Sequence, residues 1–553
     1  MTTSLRPSLS LAAGLALLWT AVPAAAQSNV IPGTDISLGA LESMTAFGKV
    51  GTYPFGQSAF AMATTSCNVG SVNVPWLAPM EADHPCIAFL VARVEADGSR
   101  LVQVSNYSHL KHGFFATSQN LCSVCLNPSP GTFLGVGCSD TYSTFNNSDN
   151  FWLAPAEEVD PWTGEWDPVC SFFDQGLNPV PPFDCDGIRS FSTAQAGALG
   201  QLGNRVIVND AELSFADAAY YYASHYVVPG EPEAARGNNT GHRGFKPVFD
   251  PLSPGGWLLN DTTSLIYGSV LNRWPGALVT SSTNGGQDGR VWVAAKVTGP
   301  DAQGLYRYEY ALHNRDNARG IGAVTWPTCG DAPSGFGFRD VDLDNSNQWT
   351  PKVLGGALRY DTGDNPLRWN SIYNFWFESP TPPELGAIEL EAFAPGAGPA
   401  SFSVSTWVPA GAYAVALGAG CTEFGAPGVL TASAKPELGE ALTLELNSSA
   451  PAGTAALLYG SGLAADLPLG GGCSLYLGGV FGANIVSLGI GALDPNGAAS
   501  FPTPVPNDPS LEGVAYRAQA LLVTGSATAP LPGIGELSGG LLLGLGDQPV
   551  LCP

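Results

Sequence analysis

Strict two-residue alternation in the middle of the chain is the feature that most limits its fold. In YRYEYAL (residues 306–312) bulky apolar side chains alternate with polar ones. Successive side chains of a β-strand point to opposite faces of the sheet, so this pattern predicts a strand with one buried face. The predicted inner set is Tyr306, Tyr308, Tyr310 and Leu312, and the outer set is Arg307, Glu309 and His313. Such a strand is typical of an antiparallel sheet.

Further short strands surround this one. The candidates between residues 248 and 410 are 290–297, 321–326, 372–377, 387–393 and 402–408, separated by Gly, Pro and Asn turns. Short strands at this spacing predict an antiparallel β-sandwich over residues 248–410. The chain also has 68 glycines and 45 prolines and few long helical patterns, so the prediction extends to an all-β protein.

Three or four domains are expected, because one core rarely serves so long a chain. We predict a cysteine-rich N-terminal β domain (27–247) followed by two antiparallel β-sandwich-like modules (248–410 and 420–553). Strands are predicted in the first at 86–94, 101–104, 205–208 and 219–228. Residues 421–553 contain no His or Trp and only two basic residues, Lys435 and Arg517. So few reactive groups favour an accessory role for the last module.

The first 26 residues have the pattern of a secretory signal peptide. Arg6 gives a basic start, residues 9–22 are apolar, and residues 24–26 are three alanines before Gln27. No later apolar run is long enough to predict a transmembrane segment. The expected location is therefore secreted, in the extracellular medium or at the cell surface.

Charge is sparse and one-sided. The chain has 47 acidic and 22 basic residues, for a formal net charge of −25. Binding to nucleic acid or to anionic membranes needs clustered Lys and Arg, so both are disfavoured as partners. With those two classes disfavoured, the expected partner is an unknown extracellular ligand or a component of the cell surface.

Eleven cysteines in an exported chain are expected to form mostly disulfides. Eight lie between Cys67 and Cys329, and three lie in the last module. If bridges stay within domains, the odd cysteine belongs to the C-terminal segment. One bridge, Cys170 to Cys185, would staple the loop-rich region 143–186.

Reactive groups concentrate in residues 106–142. His109-x-x-His112 followed by Cys122-x-x-Cys125 has the residue types of a tetrahedral zinc site. The alternative is that both cysteines are in disulfides, which the oxidising compartment favours.

Two histidines and an aspartate form a second candidate set. His112 precedes a Gly-Phe-Phe turn, and with His84 and Asp140 it could form an acid–base or metal-binding constellation. The alternative is that Asp140 caps its turn and His112 hydrogen-bonds a loop carbonyl. No nucleophile is evident beside them, which favours this structural role.

A third candidate is the acidic run Asp340-x-Asp342-x-Asp344, which has the alternation of a calcium loop. It lacks the central glycine and the glutamate at the twelfth position, so a solvated turn is an equal interpretation. The polar run at residues 238–243 is typical of a surface loop. The sequence contains no Gly-x-Ser-x-Gly, His-Glu-x-x-His or phosphate-loop motif.

Several motifs resemble a group of uncharacterised secreted proteins of planctomycetes and other environmental bacteria. In the N-terminal part they are TTSCNVG (64–70), HPCI (84–87), LKHGFFA (110–116), CSVC (122–125) and LGVGCSDTY (134–142). YRYEYALHNRDNARGI (306–321) and IYNFWFES (372–379) are similar to a sandwich of that group. GCTEFGAPGVL (420–430), LPLGGGCSLYL (467–477) and VPNDPSLEGVAYRAQALL (505–522) are similar to its C-terminal module. The resemblance implies the domain layout and the exported bacterial setting, and no catalytic residues.

Two functions from different classes fit these observations. The first is a non-catalytic ligand-binding or surface-structural protein, favoured by the modular β architecture. The second is an extracellular, metal-assisted enzyme with its site in the cysteine-rich domain. The cofactors that the candidate residues would hold are Ca²⁺ or a transition metal.

Overall fold

The computed structural model describes residues 30–546, except for 78–79, 130, 176–184, 285–287, 329–332, 343, 355–356, 397, 410–411, 471, 509–510 and 512–513. The predicted signal peptide lies outside the described residues, as do Cys329 and Cys552. The structure is 46% strand and only 6% helix, and its sheets are antiparallel, which confirms the predicted all-β class. No helix in these ranges is long and apolar enough to cross a membrane.

The N-terminal part is built from short strands and a few helical turns. Its strands are β1 (Ile36–Val50), β2 (Gln57–Asn68), β3 (Val74–Pro75), β4 (Cys86–Val94), β5 (Leu101–Gln103), β6 (Leu110–His112), β7 (Phe133–Leu134), β8 (Ser139–Tyr142), β9 (Leu153–Ala154), β10 (Val206–Asn209), β11 (Ala219–Val227), β12 (Thr240–Phe249), β13 (Trp257–Asp261) and β14 (Ile266–Tyr267). Its helices are α1 (Thr144–Asn147) and α2 (Thr193–Ala198), with 3-10 turns at Asn150–Trp152, Ala156–Glu158, Asp210–Leu213, Arg236–Asn238, Pro254–Gly256 and Val270–Arg273.

These strands form two main antiparallel sheets. The first sheet has the order β1-β2-β10, with β8 also pairing β2. The second sheet has the order β13-β12-β11-β4-β6-β9, with β5 and β14 attached to β4 and β12. The predicted boundary at residue 247 falls inside β12, and the pairing of β13 and β14 with β12 extends the second sheet to Tyr267.

The middle part forms the two sheets of a sandwich. Its strands are β15 (Leu278–Thr283), β16 (Arg290–Thr298), β17 (Tyr306–Asn314), β18 (Ile321–Pro327), β19 (Ser334–Arg339), β20 (Thr350–Leu354), β21 (Ala357–Asp361), β22 (Ser371–Ser379), β23 (Glu384–Ala392) and β24 (Ser401–Val408). The third sheet has the order β15-β16-β17-β22-β19, and the fourth has the order β20-β21-β18-β23-β24. Tyr308, Tyr310 and Leu312 are buried in the core between them, as the alternation in the sequence predicts. Glu309 and His313 of the predicted outer face are buried as well, because the N-terminal part covers that face of β17, so the expectation of a single buried face is wrong.

The four sheets stack in layers, and strand β4 shows why. One face of β4 (Ile87, Phe89 and Val91) packs into the core between the first and second sheets. Its other face (Leu90, Ala92 and Val94) packs against Ala294, Ala311 and Ile372 of the third sheet. All nine residues of β4 are therefore buried. The N-terminal part and the sandwich thus share an apolar interface.

The C-terminal module has its own core. Its strands are β25 (Tyr413–Leu417), β26 (Val429–Ala432), β27 (Thr443–Asn447), β28 (Ala455–Ser461), β29 (Ala464–Gly470), β30 (Cys473–Leu477), β31 (Ile485–Ala492), β32 (Ala498–Pro502), β33 (Ala515–Val523), β34 (Gly535–Leu537) and β35 (Gly540–Gly544). A sheet of order β25-β35-β33-β28-β31 packs on the sheet β26-β27-β32 around leucines such as Leu444 and Leu458. Arg517 pairs with Glu389 of β23, which attaches the module to the sandwich.

Within the described residues, four disulfides join Cys67 to Cys122, Cys125 to Cys138, Cys170 to Cys185 and Cys421 to Cys473. The predicted bridge over the loop-rich region is thus confirmed. Among the described cysteines Cys86 alone is free, and it is buried at the start of β4. The expectation that the odd cysteine lies in the C-terminal segment is therefore wrong. The position opposite Cys86 on the adjacent strand β6 is occupied by His112, not by a cysteine.

Candidate functional site

His84, Cys86 and His112 form a compact cluster, which we call the histidine–cysteine cluster. Antiparallel pairing of β4 with β6 places Cys86 directly opposite His112. His84 precedes β4, and its Nε2 lies 2.9 Å from Nδ1 of His112. The Cys86 sulfur lies 3.6 Å from the same Nδ1 atom. Ligand atoms of the three residues all lie within 4.8 Å of one another, and no other group of three or more His, Cys, Asp or Glu in the described ranges does so.

The hydrogen bonds assign the imidazole protons. His84 Nδ1 lies 2.7 Å from the carbonyl oxygen of Glu81, which can only accept, so His84 carries its proton there. His84 Nε2 is then an acceptor, and His112 donates to it from Nδ1. The remaining nitrogen, His112 Nε2, is buried and has no hydrogen-bond partner within the described residues.

Aromatic rings surround the cluster. Trp166 lies 4.8 Å from the His112 ring and 5.3 Å from the His84 ring, centroid to centroid. Phe173 packs edge-on against His112 at 5.2 Å. These rings come from the loop-rich region, which the Cys170–Cys185 bridge closes. Groups of the cluster are consequently shielded from water.

Burial sets the protonation of the cluster. It lowers the pKa of His84 to about 4. The pKa of His112 is also well below its usual value, because of burial first and then of electrostatic interaction with His84, Lys111 and Arg189, which disfavours a second positive charge. Burial raises the pKa of the Cys86 thiol. All three side chains are therefore uncharged at neutral pH.

The side chain of Lys111, the residue before His112, lies among a second group of aromatic rings. Its ammonium lies 4.9 Å from the Phe114 ring, 5.8 Å from Trp152 and 5.9 Å from Tyr142. It is fully buried and makes no hydrogen bond in the described part of the chain. Burial lowers the pKa of Lys111 to about 7, with Arg189 acting in the same direction and Asp149 opposing.

Asp140, the third member of the predicted acid–base set, does not join the two histidines. Its Oδ1 accepts hydrogen bonds from the backbone nitrogen of Thr117 at 2.9 Å and from the Thr117 hydroxyl at 2.5 Å. Its Oδ2 is buried without a partner among the described residues. Burial raises the pKa of Asp140 to about 6 against the opposing effect of the Thr117 bonds. Asp140 therefore holds the loop at Thr117, and the orienting role for an imidazole is not seen.

The four-residue zinc set is not assembled either. Cys122 and Cys125 are both in disulfides, with Cys67 and Cys138, so neither offers a thiolate. His109 packs edge-on against Phe172, and burial lowers its pKa. Of that set only His112 belongs to the observed cluster. Cys86, which completes the cluster, is absent from the sequence-based candidates, because no motif links it to His112.

The acidic run at Asp340, Asp342 and Asp344 forms successive turns closed by its own carboxylates. Asp340 accepts from the Asp342 nitrogen at 3.2 Å, and Asp342 from the Asp344 nitrogen at 2.7 Å. The second oxygen of Asp340 accepts from Asn365 at 2.7 Å. The carboxylates thus satisfy local donors, and they are not among the described groups whose ligand atoms converge.

A cleft of about 870 Å³ opens between the N-terminal part and the sandwich. We call it the acidic cleft, because five acids line it: Glu157, Glu158, Asp160, Glu165 and Asp167. Its two arginines already have carboxylate partners, since Arg368 pairs with Glu157 and Arg319 pairs with Asp288 at 3.0 Å.

Aromatic side chains give the acidic cleft its apolar walls. Trp166, which also contacts the histidine–cysteine cluster, lines it together with Tyr107, Trp369 and Phe393. The hydroxyl of Tyr107 is buried without a hydrogen-bond partner in the described ranges. The cleft therefore combines excess negative charge with aromatic surface.

Comparisons with known proteins give little help. No family model and no curated protein match the chain. Among solved structures it is similar to Escherichia coli alpha-2-macroglobulin activated by porcine elastase, with 11% identity, a TM-score of 0.16, and coverage of 92% of this chain and 35% of that one. The native conformation of the same protein gives 10% identity, a TM-score of 0.18 and coverage of 94% and 24%. For Salmonella alpha-2-macroglobulin reacted with methylamine, the sequence identity is 9% and the TM-score is 0.13. The match covers 90% of this chain and 32% of that one.

The chain therefore spans about a third or less of the length of the structures it matches. Similarity at these TM-scores carries no conclusion about function.

Proposed function

We propose that the chain is an exported, non-catalytic ligand-binding protein and that its ligand binds in the acidic cleft. One observation carries the proposal: a concave site of about 870 Å³ between two modules, lined by aromatic and charged side chains. Binding sites for small molecules typically measure roughly 300–1,000 Å³ and lie at such interfaces. The four disulfides support maturation in an oxidising compartment outside the cytoplasm.

The charge of the cleft favours a cationic ligand. Both arginines have carboxylate partners, whereas the cleft retains exposed acids at Glu165 and Asp167. An organic amine gains from such carboxylates and from aromatic faces, which attract cations through the ring quadrupole. Phe393, 41% exposed at the cleft, supplies an accessible ring. We therefore propose an amine-bearing organic molecule as the ligand class.

The arrangement of reactive groups supports binding over catalysis. A thiol beside an imidazole, as in Cys86 and His112, is the residue pair of a nucleophilic cysteine. Such a nucleophile needs a lowered thiol pKa and access to substrate. Burial raises the pKa of Cys86, and its side chain is only 3% exposed. The pair therefore lacks both requirements.

Thermal melts of the purified protein with and without spermidine test the proposal, since a ligand that binds the folded state raises its melting temperature. We expect a shift with spermidine that weakens with added salt, and none with a dicarboxylate of similar length. Glu165→Gln combined with Asp167→Asn should abolish the shift. Asp344→Asn, an exposed acid outside the cleft, is the matched control and should keep it. Two results would contradict the cleft as the site. One is an equal shift in melting temperature for the double variant and for Asp344→Asn. The other is no shift for the wild type with any of a panel of amines.

A further inference from the structure

We propose that His84, Cys86 and His112 form a binding site for a monovalent copper ion, held by one thiolate and two imidazoles. Cys86 and His112 are paired positions on adjacent strands, and His84 lies in the loop just before β4, so the fold itself brings the three donors together. The site is separate from the acidic cleft and does not depend on the proposed ligand.

The unpaired cysteine is the first argument. An exported chain normally oxidises its cysteines, yet Cys86 remains free among four disulfides. Because it is buried, it is not available for a bridge to a second molecule. A thiol that is kept reduced, shielded and beside two histidines has the surroundings of a metal ligand.

Two of the three separations between donor atoms come near those of a three-coordinate ion, and all the ligand atoms lie within 4.8 Å of one another. Metal–nitrogen bonds of about 2.0–2.1 Å and a metal–sulfur bond of about 2.3 Å place trigonal ligand atoms roughly 3.6 Å (N to N) and 3.8 Å (N to S) apart. The observed separation of the Cys86 sulfur from His112 Nδ1 is 3.6 Å. The two histidine nitrogens, now hydrogen-bonded at 2.9 Å, need to open by roughly 0.7 Å.

The choice of copper(I) follows from ligand number, ligand softness and charge. Structural zinc is almost always four-coordinate, and no fourth His, Cys, Asp or Glu atom joins the group in the described ranges. Thiolate ligands select soft ions such as Cu(I). One thiolate also neutralises a monovalent ion, whereas a divalent ion would leave a buried positive charge. The basic groups near His112, Lys111 and Arg189, would oppose a further positive charge there.

Binding exchanges a hydrogen bond and an S–H bond for three metal–ligand bonds. Cys86 loses its thiol proton to solvent and binds through sulfur. The His84–His112 hydrogen bond breaks, and His112 moves its proton from Nδ1 to Nε2, the nitrogen that has no hydrogen-bond partner in the described structure. No electron is transferred, since copper enters as Cu(I).

Trp166 marks the entry route. It contacts both histidines and also lines the acidic cleft, so a rotation of this one ring would connect the cluster to the surface. An access path of this kind is required of any buried metal site.

Anaerobic titration with Cu(I), in competition with bathocuproine disulfonate and with ascorbate as a reductant that spares disulfides, measures the affinity of the full chain. We expect one equivalent bound by the wild type, and copper X-ray absorption showing one sulfur and two nitrogen neighbours. Cys86→Ser should weaken binding by at least about tenfold. Even the change of a residue that only hydrogen-bonds to a metal ligand costs about that much affinity, and Cys86 is a ligand itself. His109→Gln removes a histidine outside the cluster and should bind as the wild type does.

Three results would overturn the proposal: no Cu(I) bound by folded wild type, equal affinity in Cys86→Ser, or stoichiometric Zn(II) binding without Cu(I) binding. Circular dichroism establishes that each variant is folded. If Cys86→Ser does not fold, the absorption spectrum of the wild type decides alone. A copper site without sulfur would then refute the assignment.

Discussion

Asp140→Asn tests whether the interior of the N-terminal part contains a destabilising carboxylate. Asp140 is 1% exposed, and its Oδ1 accepts two hydrogen bonds from Thr117. Its Oδ2 has no partner among the described residues. Asparagine keeps an oxygen for Thr117 and removes the charge. The substitution therefore isolates the cost of ionisation with little change in shape.

The magnitude follows from the pKa of Asp140, which burial raises from 3.8 to about 6. A pKa difference of about 2 corresponds to about 3 kcal/mol, as an order of magnitude. The folded state keeps the proton to higher pH than the unfolded chain. The carboxyl group therefore contributes its full stability below pH 3.8 and loses it as the pH rises through about 6. At pH 7 the variant is expected to be more stable than the wild type by up to about 3 kcal/mol.

Scanning calorimetry of wild type and variant at intervals between pH 3.5 and 7.5 measures this difference. The difference in melting temperature should be small at pH 3.5, grow in favour of Asp140→Asn between about pH 4 and 6, and stay constant at higher pH. Asp217→Asn, at an exposed position, serves as the control and should not show this growth. A difference that stays constant over the whole range would refute the reasoning. It would mean that Asp140 ionises normally in the folded protein.

Two further predictions concern buried groups. Lys111→Met keeps the apolar stem in its aromatic cage and removes an ammonium without a hydrogen-bond partner in the described ranges. In urea titrations, Lys111→Met should raise the free energy of unfolding by about 1–4 kcal/mol. Lys111→Ala leaves a cavity and should not raise it. A Lys111→Met variant less stable than the wild type would contradict this prediction. Thiol labelling of the denatured, non-reduced protein should modify Cys86 and leave Cys122 and Cys125 unmodified, because both are in disulfides. Labelling at Cys122 would contradict the observed bridges.

Local patterns predicted much of the fold. Strand β17 was predictable because its two-residue alternation reports a strand with one face in a sandwich core. The predicted segment at 86–94 coincides with β4, whose continuous apolar run is characteristic of burial on both faces. The polar run at 238–243 was misleading. Its last four residues begin β12, where His242 is fully buried beside Arg273.

The candidate site was predicted only in part, for a physical reason. His84 and His112 were identified by residue type, and the structure places them in contact. Cys86 was missed because its relation to His112 depends on the register of β4 against β6, which the separate strands do not encode. Asp140 was included for its position in the sequence, yet it lies on β8 of a different sheet.

The layered architecture also explains why the reactive groups are buried while the cleft stays open. The third sheet covers the face of β4 that carries Leu90, Ala92 and Val94, and the loop bearing Trp166 and Phe173 covers the end that carries Cys86. Groups that would be accessible on an isolated sheet are therefore enclosed, and enclosure keeps their imidazoles and thiol neutral. The acidic cleft forms where the loops of the two parts meet without filling the space between them. Trp166 contacts both histidines and lines the cleft, so a change at this ring would alter the wall of the cleft and the cover of the cluster together.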